Sequence, residues 1–468
     1  MFKAIFTNSF GILFSRILGF VRDLLSASIL GANIYSDIFF IAFKLPNLFR
    51  RIFAEGAFSQ VFIPAFAQTR HKGVFLANIF TIFISVITII TLLVNLLPSL
   101  ATQMIAVGFD KHTIDIAAPF VAINFWYLVL IFCVTFLSTM LQYKHHFATT
   151  AFATALLNIS LICAMYLSHD KDKIQIVYYL SWGVVIGGVL QLIAHLIAAK
   201  KMGLSKLIIG GFKHLKTKSH IIKKDTKRFK KEFFPAIWGN STAQISAFLD
   251  TFLASFLTTG SISYLYYGNR IFQLPLALFA IATSVALFPR VARYIKNKDE
   301  AKAKEFMKKA FWFLAFILMA SMLGGIILSN EIIWLLFQRG AFTLADTQKT
   351  AIVLQMYMIG LLPYGLQKLF MLWLYAKQMQ LKAAKIATVS LVVYIVFALL
   401  MLKPLGVSGL ALAGSLSGIV SFFLTLKSFG IQNFKEILKS RYTLYMVIFV
   451  PVFTATLFGI KELLPIIS

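Results

Sequence analysis

Charge and cysteine are what this sequence has least of. Only 13% of its 468 residues are Asp, Glu, Lys or Arg, against 59% hydrophobic, which leaves no polar shell for a soluble globule. The two cysteines, Cys133 and Cys163, both fall inside apolar blocks, so there is no disulfide framework and no CxxC metal or redox signature. Histidine gives no metal site either: the adjacent His145 and His146 point to different faces of a helix and have no carboxylate cluster near them in sequence. A membrane glycosyltransferase or phosphatase would need acid/base residues, a metal site or a sizeable extramembrane segment. None is visible, and the chain reads as a non-enzyme without a cofactor of its own.

What is present is length in apolar blocks. Each is about 20 residues, enough to cross a hydrocarbon core of roughly 30 Å as a helix and far more than a barrel strand needs. Thirteen are found, at 5–30, 34–66, 75–97, 116–141, 147–168, 174–199, 233–258, 262–288, 310–329, 350–375, 384–402, 406–428 and 442–465. The first lacks a small-residue cleavage site and reads as a retained span. The expected fold is an all-α polytopic membrane protein.

Lys and Arg number 45, and twelve of them lie between Lys200 and Lys231, eight between Arg290 and Lys309. Short cytoplasmic loops keep positive charge, so these loops and the N-terminus are expected inside and the C-terminus, after thirteen spans, in the periplasm. The net charge of +28 is then mainly a topology signal. It brings attraction to anionic membrane lipids and implies no nucleic-acid partner.

Function has to come from groups that do not belong in hydrocarbon. Arg16, Arg22, Asp23, Asp37, Lys44, Arg50, Arg51, Glu55, Asp250, Arg270 and Lys368 lie within the spans, each costing roughly 3 kcal/mol at mid-membrane unless it faces a cavity or a partner. Ser9, Arg16 and Asp23 repeat every seven residues, as do Asp37, Lys44 and Arg51, so each set forms a stripe on one helix face. Arg22 lies beside the first stripe, and Glu55 is one turn beyond Arg51, within reach of pairing. Pro46 is expected to bend the second span. Seven bases against four acids leave an interior that favours an anion over a cationic drug.

The chain also resembles itself. GANIYSDIFFIAFKLP from Gly31 to Pro46 matches GSISYLYYGNRIFQLP from Gly260 to Pro275, and SQVFIP from Ser59 matches SVALFP from Ser284, at offsets of 229 and 225 residues. Six spans separate the matches, so the halves are expected to be parallel repeats. The segments are then an N-terminal lobe (1–200), a basic linker (201–231) made mobile by Gly203, Gly210 and Gly211, a C-terminal lobe (232–429), and a linker with the last span (430–468). Two six-helix lobes would flank a central cationic cavity.

The run SRILGFVRD from Ser15, then Gly31, then SDIFFIAFKLPNLFRRIFAEGAFSQVFIP from Ser36 to Pro64, resembles the N-terminus of the MurJ (MviN) lipid II flippase family of the multidrug/oligosaccharidyl-lipid/polysaccharide exporter superfamily. YYGNRIFQLP around Arg270 and LLFQRGAF from Leu335 continue the likeness. It implies alternating-access movement of lipid II to the outer leaflet, with Arg22, Arg50 and Arg270 in a central cavity and Arg16, Asp23 and Asp37 in matching motif positions. Guanidinium groups suit a pyrophosphate, which they grip through planar, bidentate donors. Lys44, Pro46, Arg51 and Glu55 are gate or scaffold candidates; Arg51 either pairs with Glu55 or touches substrate. The likeness further implies cell-wall synthesis machinery as a partner and, in some relatives, Na⁺, for which Asp250 is the candidate here. No Asp or Glu lies between Asp346 and Glu436 to assist it. It implies fourteen spans as well, whereas one apolar block follows Arg441. A lipid-linked polysaccharide flippase would share the fold and the anion site.

The orientation is open to direct test. In a Cys133→Ser/Cys163→Ser background, Lys216→Cys is expected to react with a membrane-impermeant maleimide only after the inner membrane is opened. Labelling in intact spheroplasts would invert the topology.

Overall fold

A computed structural model of the chain describes residues 2–49, 57–218 and 220–464, and contains no strand among them. They group into two compact units, Met1–Thr259 and Gly260–Ser468.

The first unit holds α1 (Phe2–Leu30), α2 (Ile34–Phe49), α3 (Ala57–Gln68), α4 (Lys72–Leu96), α5 (Pro98–Ile105), α6 (Lys111–Tyr143), α7 (Ala148–Ser168), α8 (Lys173–Lys201), α9 (Leu204–Lys213), α10 (Leu215–Lys218) and α11 (Lys223–Ala254). α1 ends at Gly31, whose φ of 74° is cheap only for glycine. The next helix is opened by Asn33 and Ser36: the Ser36 hydroxyl accepts from the Asn33 amide and donates to the Asn33 carbonyl, each at 2.8 Å. α8 packs against α7 with glycine. A Cβ on Gly183 would stand 2.9 Å from the Ala164 methyl, and one on Gly187 2.7 Å from Leu157 Cδ1. Small residues on one face let membrane helices approach closely and gain dispersion contacts that lipid cannot replace.

The second unit holds α12 (Ser261–Pro275), a π-helical stretch (Leu276–Ile281), α13 (Ala282–Lys296), α14 (Glu300–Ile327), α15 (Ser329–Phe337), α16 (Leu344–Ile359), α17 (Leu361–Ala376), α18 (Gln380–Phe429), α19 (Ile431–Leu438) and α20 (Arg441–Leu463). α18 is two arms of a hairpin. The chain reverses at Gly406, φ 55°, and the Ser390 and Ser417 hydroxyls meet across the arms at 2.7 Å. Asp299 caps α14, accepting from the Lys302 amide at 3.2 Å. Its bond to the Lys302 ammonium, 3.0 Å away, holds that carboxyl below the usual range.

The expected repeat is visible in the secondary structure of the two units. Gly31 and Gly260 both have positive φ, as do His145 and Gln378 at the following turns. The helices α4, α5 and α6 correspond in order to α14, α15 and the α16–α17 pair, with starts displaced by 228 to 233 residues. Loops expected on one side of the membrane also meet within each unit. Lys72 donates to the Tyr143 hydroxyl at 2.9 Å and Lys377 pairs with Glu300 at 2.7 Å. On the other side the Gly108 amide donates to Ser255 Oγ at 3.0 Å, and Tyr264 donates to Asp346 at 3.0 Å.

Eight helices among the described residues are long and apolar enough to cross a membrane, fewer than the thirteen blocks in the sequence. The difference has identifiable sources. The α18 hairpin counts once, α16 and α17 are split at Gly360, α1 and α11 are not among the eight, and the second block is covered by α2 and α3 with 50–56 outside the described residues.

The segment after Lys200 is expected to be a mobile linker, with the seventh span joining the second lobe. Instead α9 packs on α4, where Gly211 sits against the Gly73 carbonyl and Phe212 edge-on to Phe80 at 5.7 Å. α11 lies with the first unit. Phe229 and Phe233 enter a cluster with Phe58, Phe62 and Phe83 at centroid distances of 5.1 to 6.2 Å, and Thr69 donates to Asp225 at 2.6 Å. Burial of two phenylalanines, about 1.5–3 kcal/mol each, outweighs the basic character that made this stretch look like a loop.

The glycine contacts give a paired prediction. Gly187→Ala is expected to cost about 1–3 kcal/mol through overpacking, read as a lower thermal midpoint in detergent. Gly210→Ala, with nothing within 4 Å, should be neutral or slightly stabilising. Equal effects would mean that α7 and α8 are not in this close register.

Candidate functional site

Within the first unit the site is built on α1. Ser15 donates through its hydroxyl to the Ala151 carbonyl on α7 at 3.1 Å, and Asn158, a turn or two along α7, donates back to the Ser15 carbonyl at 3.0 Å. These bonds set the register of α1 on α7. They also place Asn158 Oδ1 to accept from Arg22 Nη1 at 3.1 Å. The same guanidinium grips Asp23 Oδ1 through Nε at 3.1 Å and Nη2 at 2.6 Å. Arg22 keeps 16% of its side chain exposed and Asp23 1%.

The sequence placed Arg22 beside the stripe of Asp23; in the structure the two form one ion pair anchored to α7. Such a pair carries no net charge, but it fixes the plane and direction of the guanidinium. Arg16, further back on α1, is exposed. Asp37 is 2% exposed and lies in the first turn of α2, where a carboxylate is favoured by the helix dipole. Lys44 is half-buried and Pro46 buried within α2, which continues to Phe49. Arg50, Arg51 and Glu55 lie outside the described residues.

Within the second unit Arg270 is half-buried on α12. Gly268 and Phe272, one turn apart, face α16: a Cβ on Gly268 would meet Val353 at 2.9 Å, and the Phe272 ring stacks on Tyr357 at 5.5 Å. Arg270, midway between them in sequence, lies on the opposite face of α12. Lys368 on α17 sits 5.0 Å from the Tyr364 ring, which is itself 6.3 Å from Phe272. Lys368 therefore lies beside Tyr364 on the α17 side of Phe272.

Asp250 is half-buried on α11. No group of three or more His, Cys, Asp or Glu placed to hold a metal ion occurs among the described residues. His145 occupies a left-handed turn, φ 60°, and His146 bonds Thr149 at 2.8 Å. Sequence reasoning missed Asn158. Its signal was available as a lone carboxamide in an apolar span, a polar group that needs partners in the membrane.

A chain helical throughout its regular described elements, with a fixed arginine on its first helix, a second arginine on α12, and repeated units of this order, is a polytopic transporter of the exporter type. The comparisons agree. The fold matches a solved structure described as an inward-facing multidrug resistance MATE family transporter of the MOP superfamily, with TM-score 0.70 at 11% identity, covering 93% of this chain and 99% of that one. It matches the solved structure of lipid II flippase MurJ in an inward closed conformation with TM-score 0.80 at 26% identity, covering 97% of both chains. The family model for lipid II flippase MurJ matches residues 26–465. Curated relatives named probable lipid II flippase MurJ include those of Helicobacter pylori strain J99, 50% identical over 90% of this chain and 94% of that protein, and of Haemophilus influenzae, 31% identical over 88% and 83%. The chain belongs to the lipid II flippase MurJ family.

The Arg22–Asn158 bond can be weighed by a double-mutant cycle. Arg22→Ala and Asn158→Ala should each lower thermal stability, and the double variant should lose less than the sum, with a coupling energy of about 0.5–3 kcal/mol. Strict additivity would show that the two side chains do not meet.

Proposed function

We propose that this protein carries lipid II, the undecaprenyl-pyrophosphate-linked peptidoglycan precursor, from the inner to the outer leaflet of the cytoplasmic membrane by alternating access. Membership of the MurJ family over residues 26–465 is the observation that carries the reading. The chemistry of α1 and α12 supports it. A pyrophosphate needs planar cationic donors held in place before it arrives, and Arg22 is held by Asp23 and Asn158. Arg270, on the face of α12 turned from α16, and Arg50 supply the remaining guanidiniums. The N-terminus and the basic loops would lie in the cytoplasm. The protein acts as a carrier and makes or breaks no covalent bond, beside the cell-wall enzymes that supply and use its substrate.

The energy source proposed is the membrane potential. An inside-negative membrane favours outward movement of an anion by about 2.3 kcal/mol per charge per 100 mV, and equally favours inward return of an empty cationic cavity. Collapsing the potential while holding ionic gradients is expected to stop transport; unchanged flux would remove this drive.

Complementation of a lipid II flippase-depleted strain tests the assignment and the site separately. Wild type is expected to rescue, while Arg22→Ala, Arg50→Ala and Arg270→Ala, present at normal membrane levels, should not. Losing one charged phosphate contact weakens substrate binding about ten- to hundredfold. Rescue by all three variants would leave the transport reading standing and remove the arginines from it. Failure of an expressed wild type would point to another polyprenyl-linked glycan.

A further inference from the structure

The last helix is weakly embedded. α20 touches α14 through Tyr442 on Trp312, 5.9 Å between rings, Phe449 on Phe316 at 5.5 Å, and Lys461, which donates to the Ile327 carbonyl at 3.2 Å. Along α20 itself the buried residue is Leu457. Beside these contacts lies a cavity of about 520 Å³, lined by Lys309, Trp312, Phe313, Phe316 and Ile317 of α14 and Tyr442 of α20.

The two ends of this cavity differ in chemistry. Its walls are aromatic and aliphatic, and the Trp312 indole N–H is already given to the Ile437 carbonyl at 3.3 Å. Its mouth is cationic. Lys309 lies on the rim, and the Arg441 guanidinium stands 5.6 Å over the Tyr442 ring. Lys304, Lys308, Lys435 and Lys439 flank them in sequence, with Glu305 and Glu436 as the nearby acids. Glu305 pairs with Lys309 at 2.7 Å, but both side chains are more than half exposed, and such surface pairs open at little cost. The short helix α19, which leads into α20, turns Ile437 inward and leaves Lys435 and Lys439 exposed, while Phe434 packs on Phe311 at 5.7 Å. That is the pattern of a helix lying in the plane of a membrane surface.

An apolar slot that opens at a cluster of cations matches one kind of molecule. A soluble anion has no use for the slot, and a neutral lipid has none for the cations. We propose that the α14–α20 cleft binds an anionic phospholipid of the bilayer, its phosphodiester between Lys309 and Arg441 and one acyl chain beside Trp312 and Phe316. The lipid fills the space that protein leaves between these helices and holds α20 to α14. The site is independent of the transport reading.

Trp312 is a built-in reporter. The full-length protein is placed in nanodiscs carrying brominated phosphatidylglycerol or, at the same mole fraction, brominated phosphatidylcholine, and its quenching is taken as the difference from Trp312→Phe. Phosphatidylglycerol should quench preferentially. Each basic residue near the surface contributes about a fivefold gain in anionic-lipid binding, so Lys309→Gln/Arg441→Gln should erase most of the preference. Lys206→Gln/Lys213→Gln on α9 should leave it intact. In wild type alone the preference should shrink as salt is raised, since exposed charges are screened over about 10 Å at 0.1 M. Equal quenching by the two lipids, a preference that survives in the double variant, or one indifferent to salt would each overturn the proposal.

Discussion

Inside hydrocarbon a charge has to be compensated where it stands, and the arrangement of the first unit follows from how Arg22 meets that demand. An uncompensated arginine costs roughly 3 kcal/mol on insertion scales, and a hydrogen bond to a charged group returns about 1.5–3. Arg22 makes bonds to Asp23 and to Asn158, enough to offset the burial of its own charge and to share that of Asp23. Because Asn158 belongs to α7 and also takes the Ser15 carbonyl, the compensation locks α1 against α7. The charge thus acts twice, as a candidate ligand for phosphate and as the reason the first helix sits in one register. A guanidinium already held in place loses little entropy when an anion arrives.

Much of this was legible in sequence because lipid imposes a simple code. Segment length gave the helices, and the spacing of Gly31 and Gly260 with Pro46 and Pro275 gave the repeat. The stripe on the first span set Arg22 beside Asp23 but did not show that the two would bond each other. Adjacent residues on a helix point about 100° apart, and only a long flexible side chain curling back closes that gap. Asn158 stood out as a lone carboxamide in an apolar span, but its partners, 136 and 143 residues away, could not be read from the sequence. Charge density along the segment after Lys200 does not reveal that Phe229 and Phe233 have partners on α3 and α4. Gly211 was taken as a source of freedom, whereas its missing side chain serves contact with Gly73.

The two repeats agree at their turns and differ in the middle of their helices, and the difference has a physical logic. Turns are fixed by local chemistry, so left-handed residues recur at Gly31 and Gly260 and at His145 and Gln378. Helix interiors can break only if the freed backbone groups find new partners, since the bilayer core offers no water. α6 runs unbroken from Lys111 to Tyr143, whereas its counterpart divides at Gly360. There the Ser415 hydroxyl lies 2.5 Å from the Met356 carbonyl and 3.1 Å from that of Tyr357, and accepts from the Gly360 amide at 3.1 Å. A Cβ on Gly360 would collide with Ser415 at 2.7 Å. The glycine admits the serine and the serine satisfies the break. In α12 the irregularity follows Pro275, where the chain passes into a π-helical stretch that accommodates the bond proline cannot donate. The second unit therefore carries two interrupted helices, each with its cause in identifiable residues: Pro275 for one, and the meeting of Gly360 with Ser415 for the other.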